Sequence, residues 1–175
     1  GTALHRSAGQ DERYTAAAAE FGGAIERLAR AYEAQDDPRR DLIQDIHVAL
    51  WRSLAAFDNR CSLRTWVYRV AHNTGASHVL RRKAQGPLAG IEQLDQTIDG
   101  DDPERTTSER QAMGRLTLLI QGLKPADRQV LLLYLEDLDA AAIGEITGLS
   151  AGAIAVKIHR AKAVLAQRFN QGEGR

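Results

Sequence analysis

The side chains that usually carry out catalysis or bind metals are few and dispersed in this sequence. Even the nearest pair of histidines, His72 and His78, are six residues apart and do not share a helix face. The single cysteine, Cys61, excludes an intramolecular disulfide and a multi-thiolate metal site, and there is no glycine-rich phosphate loop. The sequence therefore predicts no enzyme, no cofactor and no metal. It favours surface or nucleic-acid-facing histidines, and Cys61 as a small packing residue or, alternatively, a redox sensor.

A different chemistry, the binding of unpaired bases, is indicated by the segment from Asn59 to Lys83. It has no acidic residue but six basic ones: Arg60, Arg64, Arg69, Arg81, Arg82 and Lys83. At about 100° per residue, a helix would place four useful side chains on one face: Ser62, Trp66, Arg69 and Asn73. Aromatic planes stack on unpaired bases, cations follow phosphates and amides read base edges, so this face is typical of single-stranded DNA binding. Alternatively, Trp66 and Tyr68 are half-buried packing residues and the arginines a solvated face.

A second basic stretch coincides with a helix-turn-helix pattern. Ala140 to Thr147 predicts a short helix, Gly148 can end it in the left-handed conformation, and Ser150 can cap a helix from Ala151 to about Phe169. Residues 146–172 contain no acid, which favours a DNA-reading helix over an ordinary helical hairpin. The candidate contact residues are Ser150, Ala153, Lys157, Arg160 and Lys162.

Helices must position both segments, and apolar residues recur at intervals of three and four. Three stripes predict a three-helix first domain: Phe21, Ile25, Leu28 and Tyr32; Leu42, Ile46, Leu50 and Leu54; and Leu63, Val67, Val70 and Thr74. Ser62 is expected to cap the third helix, and Pro125 to begin a helix in a second domain. Gly144 is small where the two helices of the helix-turn-helix cross.

Length and composition fit two small helical domains. The chain has 175 residues, 43% of them hydrophobic, and its 5% of aromatic residues is low for a sandwich rich in β-structure. Leu88 to Arg115 holds three basic and seven acidic residues, net −4. We therefore predict a flexible N-terminal segment at 1–14, domains at 15–85 and 108–170, and a flexible acidic linker at 86–107. The lack of a long apolar run and the single cysteine predict a cytoplasmic protein without membrane insertion.

The order and spacing of these motifs resemble the extracytoplasmic-function (ECF) sigma factors, the small two-domain promoter-specificity subunits of bacterial RNA polymerase. In the first half the resemblance rests on residues 41–52, Phe57, residues 62–73 and Arg81-Arg82. In the second half it rests on residues 123–135 and 143–165. It spans about residues 15–170 and implies an all-α alternative sigma factor that directs promoter recognition, DNA melting and transcription initiation.

The resemblance also implies a role for each element. Helix two would bind the clamp helices of the polymerase's largest subunit through Asp41, Gln44, Asp45 and Trp51. The loop and helix three would melt and read the minus-ten element through Asn59, Arg60, Ser62, Arg64, Trp66, Arg69, Asn73, Arg81 and Arg82. The helix from Ala151 would read the minus-thirty-five element in the major groove. The implied partners are core RNA polymerase, including its flap, promoter DNA and an anti-sigma factor.

The sequence departs from the family pattern at several positions. The family usually has an acid-rich tetrad at the start of helix two, whereas this sequence has Pro38-Arg39-Arg40-Asp41. Ser77 stands where an aspartate is common in the family. In the recognition helix, the common Val-Lys-Ser-Arg reads Ile154-Ala155-Val156-Lys157. We expect these changes to alter promoter choice more than to abolish function.

Two other functions fit parts of the pattern. The first is a sigma mimic that sequesters an anti-sigma factor without binding DNA, although the intact basic stretch from Arg60 to Lys83 argues against it. The second is a transcriptional regulator that uses only the helix-turn-helix, which leaves the tryptophan-bearing basic helix unexplained.

Overall fold

The computed structural model describes residues 2–85 and 107–173, and within these ranges the chain forms seven α-helices and no strand. The helices are α1 (Thr2–Tyr32), α2 (Asp36–Leu54), α3 (Leu63–Ala84), α4 (Thr107–Gln121), α5 (Pro125–Leu135), α6 (Ala140–Thr147) and α7 (Ala151–Glu173). Helices α1 to α3 form one small domain and α4 to α7 a second, which confirms the predicted all-α fold. The predicted linker falls at residues 86–107, of which 86–106 lie outside the described residues.

The first domain is a three-helix bundle whose core follows the predicted stripes of α1 and α2. Both stripes are buried in full: Phe21, Ile25, Leu28 and Tyr32 on α1, and Leu42, Ile46, Leu50 and Leu54 on α2. Burying one such side chain stabilises a fold by about 1.5–3 kcal/mol, so these stripes supply much of the hydrophobic stabilisation of the domain.

Helix α1 is longer than the sequence suggested, because the segment predicted to be flexible, residues 1–14, is helical from Thr2 onward. Its polar side chains bind the end of α2. The Gln10 amide donates to the Trp51 carbonyl at 2.6 Å, the Trp51 indole donates to Asp11 at 2.8 Å, and Arg13 donates to the Phe57 carbonyl at 3.1 Å. Tertiary hydrogen bonds thus hold a stretch that has few large apolar residues to bury.

The buried face of α3 differs from the predicted stripe. Leu63, Val70 and Thr74 are only half-buried, whereas the buried residues are Thr65, Val67, Tyr68, Ala71, His72, Gly75, His78 and Val79. The apolar pattern was misleading here because polar and small residues fill much of the core face. Gly75 is one of them, since a Cβ atom there would lie 2.6 Å from the Tyr32 ring.

In the second domain, the helix-turn-helix packs on buried apolar residues of α5. Pro125 begins α5, as predicted, and Val130, Leu131 and Leu133 are buried together with Ile143 and Ile154 from the two helices of the motif. This core fixes the angle at which α7 leaves the domain.

The turn between α6 and α7 has the predicted chemistry. Asp139 caps α6 by accepting from the Ala142 backbone N–H, and Gly148 ends that helix with a φ of 78°. Ser150 accepts from the Ala153 backbone N–H at 3.2 Å and caps α7. A Cβ atom at Gly144 would lie 3.1 Å from the Leu149 carbonyl, so the close crossing requires a small residue.

Candidate nucleic-acid interface

The loop before α3 carries the first residues of the predicted minus-ten surface. Asn59 has a left-handed φ of 63°, and Arg60 forms an ion pair with Asp58 at 2.9 Å. The Ser62 hydroxyl accepts from the Thr65 backbone N–H at 3.1 Å and caps α3. Ser62 thus fixes the start of the helix, while Asn59, Arg60 and Arg64 remain exposed.

Trp66 is half-buried and rigidly held. Its ring centroid lies 5.2 Å from that of Phe57 at an interplanar angle of 60°, and its indole N–H donates to the Ser53 hydroxyl at 3.0 Å. The side chain is therefore a packing residue, as one interpretation of the sequence proposed. Because it is only half-buried, it also presents part of a fixed aromatic surface.

Trp66, Arg69 and Asn73 lie along one face of α3, but they differ in accessibility. Asn73 is exposed, whereas the Arg69 guanidinium donates to the backbone carbonyl of Glu145 on α6. The Thr65 hydroxyl donates to the Glu145 carboxylate at 3.3 Å. Helix α6 thus covers part of the face that the sequence assigned to unpaired DNA.

The two arginines near the end of α3 have acidic partners distant in sequence, one just after α1 and one on α2. Arg82 contacts Glu33 at 2.8 Å, and Arg81 lies 3.7 Å from Asp45. Burial raises the pKa of Glu33, but hydrogen bonds from His78 and a backbone N–H, together with the Arg82 charge, hold it below its ordinary value. The basic stretch is therefore partly neutralised by acids distant in sequence.

Two of the histidines expected at the surface are buried instead. His78 lies 3.0 Å from Glu33, and His72, 1% exposed, is hydrogen-bonded through Nδ1 to the Tyr32 hydroxyl at 2.7 Å. Burial lowers the pKa of His72 to about 3, so its ring is neutral near pH 7. His72 faces α1 across the core, and His78 faces Glu33, which directly follows α1. The sequence pattern marks apolar residues as buried, so it did not predict either histidine there.

The predicted polymerase-binding residues lie together on α2. Helical geometry places Asp41, Gln44, Asp45 and Trp51 on its outer face, and all four are exposed. Val48, 42% exposed, lies among them and was not predicted. An exposed valine next to carboxylates combines apolar and acidic groups, a mixture suited to a basic partner with an apolar centre.

The predicted minus-thirty-five residues lie on α7 but do not all point the same way. Arg160 and Lys162 are exposed, with the Lys162 ammonium 2.7 Å from the Tyr134 hydroxyl. Lys157 is half-buried and pairs with Asp127 of α5 at 3.0 Å, and Ala153 is half-buried too. Two exposed residues of the same helix, Ala155 and Val156, were not predicted. Their apolar character concealed them, because the sequence argument searched for cations.

Comparison with known proteins identifies both halves of the chain. The family model described as Sigma-70 region 2 matches residues 18–85, and the one described as Sigma-70, region 4 matches residues 113–165. The RNA polymerase sigma factor YlaC of Bacillus subtilis is 32% identical, covering 75% of this chain and 78% of its own. The ECF RNA polymerase sigma factor SigW of the same organism is 25% identical, covering 81% and 78%. The chain belongs to the ECF sigma factors.

A longer alignment and the fold agree with this assignment. The RNA polymerase sigma factor NccH of Alcaligenes xylosoxydans xylosoxydans is 27% identical to this sigma factor, covering 93% of it and 91% of NccH. The structure of CnrH in complex with the cytosolic domain of CnrY has a TM-score of 0.69 at 20% identity, covering 97% and 95% of the two chains. This sigma factor is thus a DNA-binding transcription initiation factor that binds core RNA polymerase and recognises promoters.

In this sigma factor the two domains are joined by a cluster that we name the interdomain clasp, formed by Arg27, Tyr68 and Glu136. Arg27 binds both carboxylate oxygens of Glu136, at 2.7 and 2.8 Å, and the Tyr68 hydroxyl donates to Glu136 at 3.3 Å. Burial, with the nearby Glu136 charge, raises the pKa of Tyr68 to about 12, so it acts as the donor. The clasp connects α1 and α3 to the end of α5.

A second set of contacts lies beside the clasp. The Gln121 side chain donates to the Arg30 carbonyl at 2.8 Å, and the buried Arg128 guanidinium lies 5.5 Å from the centre of the Tyr32 ring. Arg128 also donates to the Leu123 carbonyl at 3.0 Å. The sigma factor is therefore closed, with the helix-turn-helix domain packed on the region 2 domain.

Within residues 2–85 and 107–173, no group of three His, Cys, Asp or Glu side chains could hold a metal ion. Over the same ranges no single helix is long and apolar enough to cross a bilayer. Helices α6 and α7 together have the necessary length and apolar character, but a bend of 101° separates them.

Proposed function

We propose that this sigma factor works in the cytoplasm and carries out no chemical reaction itself, opening the promoter by capturing unpaired bases. The exposed face of α2 binds core polymerase. Asn59, Arg60 and Arg64 contact the minus-ten strand, while Trp66 and Asn73 stack on and read its bases. Arg160 and Lys162 contact the minus-thirty-five duplex from α7. The fixed indole of Trp66 supports the stacking role, because a plane that is already ordered loses little entropy on binding.

We further propose that the closed arrangement is the inactive state of the free sigma factor. The observation that carries this proposal is the contact between α6 and α3, in which Arg69 and Thr65 are bound to Glu145. A DNA strand cannot reach the Arg69 guanidinium while α6 occupies it. Binding to core must therefore separate the two domains before the minus-ten strand can be captured.

The geometry of the promoter leads to the same conclusion. Elements centred near minus ten and minus thirty-five are about 25 base pairs apart, or about 85 Å along B-form DNA. In the closed chain the two DNA-reading domains touch, so they cannot occupy both elements at once. Free chain is accordingly expected to bind promoter duplex weakly, and core polymerase to supply the separation.

An anti-sigma factor is a partner that we propose for the closed state. CnrH was solved with the cytosolic domain of CnrY, and RpoE of Bartonella quintana with the anti-sigma factor NepR. RpoE has a TM-score of 0.62 at 14% identity, covering 85% of this chain and 91% of its own. The exposed apolar side chains Leu80 and Leu135 offer attachment points for such a partner on this chain.

The test separates strand capture from duplex reading in run-off transcription with core polymerase. Trp66→Ala and Asn73→Ala should slow open-complex formation on a linear duplex and remain defective on a pre-melted bubble, each losing about 1–3 kcal/mol of binding. Arg160→Ala should weaken duplex binding and be largely rescued by the bubble.

Matched controls keep this test interpretable. Ser77→Ala changes an exposed residue one turn from Asn73 and should behave as wild type. Ser53→Ala removes the hydrogen bond to the indole but leaves the ring, so it reports the cost of loosening Trp66. Folded Trp66→Ala and Asn73→Ala proteins that open a linear promoter at the wild-type rate would show that α3 does not capture the strand.

A further inference from the structure

We propose that Val156, with Ala155 beside it, recognises the methyl groups of thymines in the minus-thirty-five element. The inference rests on the proposed role of α7 in reading that element and adds the base that it prefers. Four observations carry it: the orientation of α7, the exposure of Val156, the withdrawal of Lys157 and the absence of acidic residues from positions 146–172.

The orientation of α7 is set by its core face. Ile154 and Ala161 are buried against the domain, at 1% and 2% exposure. Counting about 100° per residue, the opposite arc within residues 151–163 is centred on Gly152, Val156, His159 and Ala163, with Ala155 and Arg160 at its two edges. All six are exposed, and only His159 and Arg160 among them have polar side chains. Around Val156, the part of α7 that points away from its own domain is therefore mostly apolar.

Val156 is the largest apolar side chain on this arc, and 48% of it is exposed. Valine is a weaker helix former than alanine, so its exposed position adds nothing to the stability of α7. Gly152 on its N-terminal side and Ala163 on its C-terminal side are exposed and have no side chain beyond Cβ. A partner surface can therefore approach the backbone of α7 closely on both sides of the valine along the helix.

Lys157 follows Val156 directly but does not share its direction. Its ammonium binds Asp127 at 3.0 Å, and both side chains are only 27% exposed. A cation that would otherwise reach guanine is thus held against α5. Arg160, one turn further on, is the exposed cation nearest to the arc and is placed to contact phosphate.

The electrostatics favour DNA as the occupant of this face. No acidic residue lies between positions 146 and 172, and Ser150 caps the amino end of the helix. The helix dipole and the cations on its flanks together attract a polyanion. A protein partner that bound an apolar strip would not require a segment that has cations and no acidic residue.

The chemistry of the major groove then selects the base. The thymine C5-methyl is the apolar group on that edge, and small apolar side chains contact it, whereas Arg reads guanine and Asn or Gln reads adenine. The centre of this arc has none of those polar readers. Val156 and Ala155 consequently favour thymine at the one or two base pairs that they face.

The experiment uses holoenzyme assembled from the full chain and bacterial core polymerase. The preferred minus-thirty-five sequence is first selected from a randomised duplex library. Each thymine in it is then replaced singly by deoxyuridine, which removes the methyl and keeps all hydrogen-bonding groups. Burying one methyl group contributes about 0.8 kcal/mol, so its removal should weaken binding about fourfold.

The decisive comparison combines the base change with Val156→Ala. We expect deoxyuridine at one or two positions to cost about fourfold with Val156 and almost nothing with Val156→Ala. Gln167→Ala, at an exposed position three turns further along α7, should retain the full deoxyuridine effect. Helicity of each variant is checked first, and Val156→Ala is expected to fold because alanine favours helix.

Four results would overturn the proposal, and they differ in what else they overturn. If the selected sequence contains no thymine, or if the deoxyuridine effect is the same in wild type and Val156→Ala, methyl recognition is refuted while the role of α7 stands. If the holoenzyme selects no preferred sequence from the library at all, the proposed duplex reading by α7 is refuted as well. If Val156→Ala alters self-association or anti-sigma binding but not the deoxyuridine effect, the face is a protein interface instead.

Discussion

Replacing Glu136 by glutamine should open the sigma factor by breaking the interdomain clasp. Glutamine keeps the size of the side chain but removes the charge that binds Arg27 and Tyr68. Arg27 is 59% exposed, so its pair with Glu136 contributes at most about 1 kcal/mol after solvent screening. The hydrogen bond from buried Tyr68 adds about 1 kcal/mol. The closed state should therefore lose up to about 2 kcal/mol.

This loss has a measurable size. At 1.36 kcal/mol for each factor of ten, about 2 kcal/mol shifts the open-to-closed ratio by up to about 30-fold. If core polymerase binds the open state, its affinity for the sigma factor rises by up to the same factor. Because the clasp is partly exposed, salt should weaken it in the wild-type protein and have less effect on the variant.

Energy transfer between dyes on the two domains measures this opening directly. Exposed positions on α1 and α7 accept dyes as Ala19→Cys and Ala166→Cys, in a Cys61→Ser background. Glu136→Gln should lower the transfer efficiency in the free chain and tighten core binding. Glu20→Gln, an exposed glutamate of α1, serves as the control for loss of one negative charge. Unchanged transfer together with core affinity within twofold of wild type would show that the clasp does not hold the domains together.

Three further predictions concern stability and core binding. The pKa of His72 is lowered to about 3, so the unfolded chain takes up its proton first as pH falls. Stability from this group is full above pH 6.5, and about 2 kcal/mol should be lost by pH 5 in urea titrations, with His72→Gln flattening the profile. Gly75→Ala should lower the thermal midpoint, because its Cβ would lie 2.6 Å from Tyr32. Arg40→Glu should tighten core binding at low salt, because Arg40 pairs only loosely with Asp37, at 3.6 Å, and opposes a basic partner.

Each of these has an outcome that contradicts its reasoning. A pH profile that is the same for wild type and His72→Gln would place the acid sensitivity elsewhere. Gly75→Ala with an unchanged midpoint would mean that the Tyr32 ring moves aside at no cost. Weaker core binding by Arg40→Glu would mean that the arginine contacts an acidic patch.

The local structure of this sigma factor was predictable because short-range interactions determine it. The stripes of α1 and α2, the cap by Ser62, the left-handed Gly148 and the cap by Ser150 each involve residues within a few positions of one another. Their geometry follows from helix periodicity and from the preferences of single side chains. The helix-turn-helix and the α2 core were accordingly correct in the sequence prediction.

Tertiary structure decided which charged and aromatic groups are available to a partner. The Arg27 pair with Glu136 joins residues 109 positions apart, and Arg82 is neutralised by Glu33 from the connection between α1 and α2. His72 is buried because α1 supplies the Tyr32 hydroxyl as its partner. Such contacts depend on how whole helices pack. Because the chain has as many acidic as basic residues, many pairings are possible, and the order of the residues does not show which pairs form. For the same reason, sequence could propose α3 and α7 as DNA-reading helices, but only packing shows that α6 covers part of one and that Val156 points outward from the other.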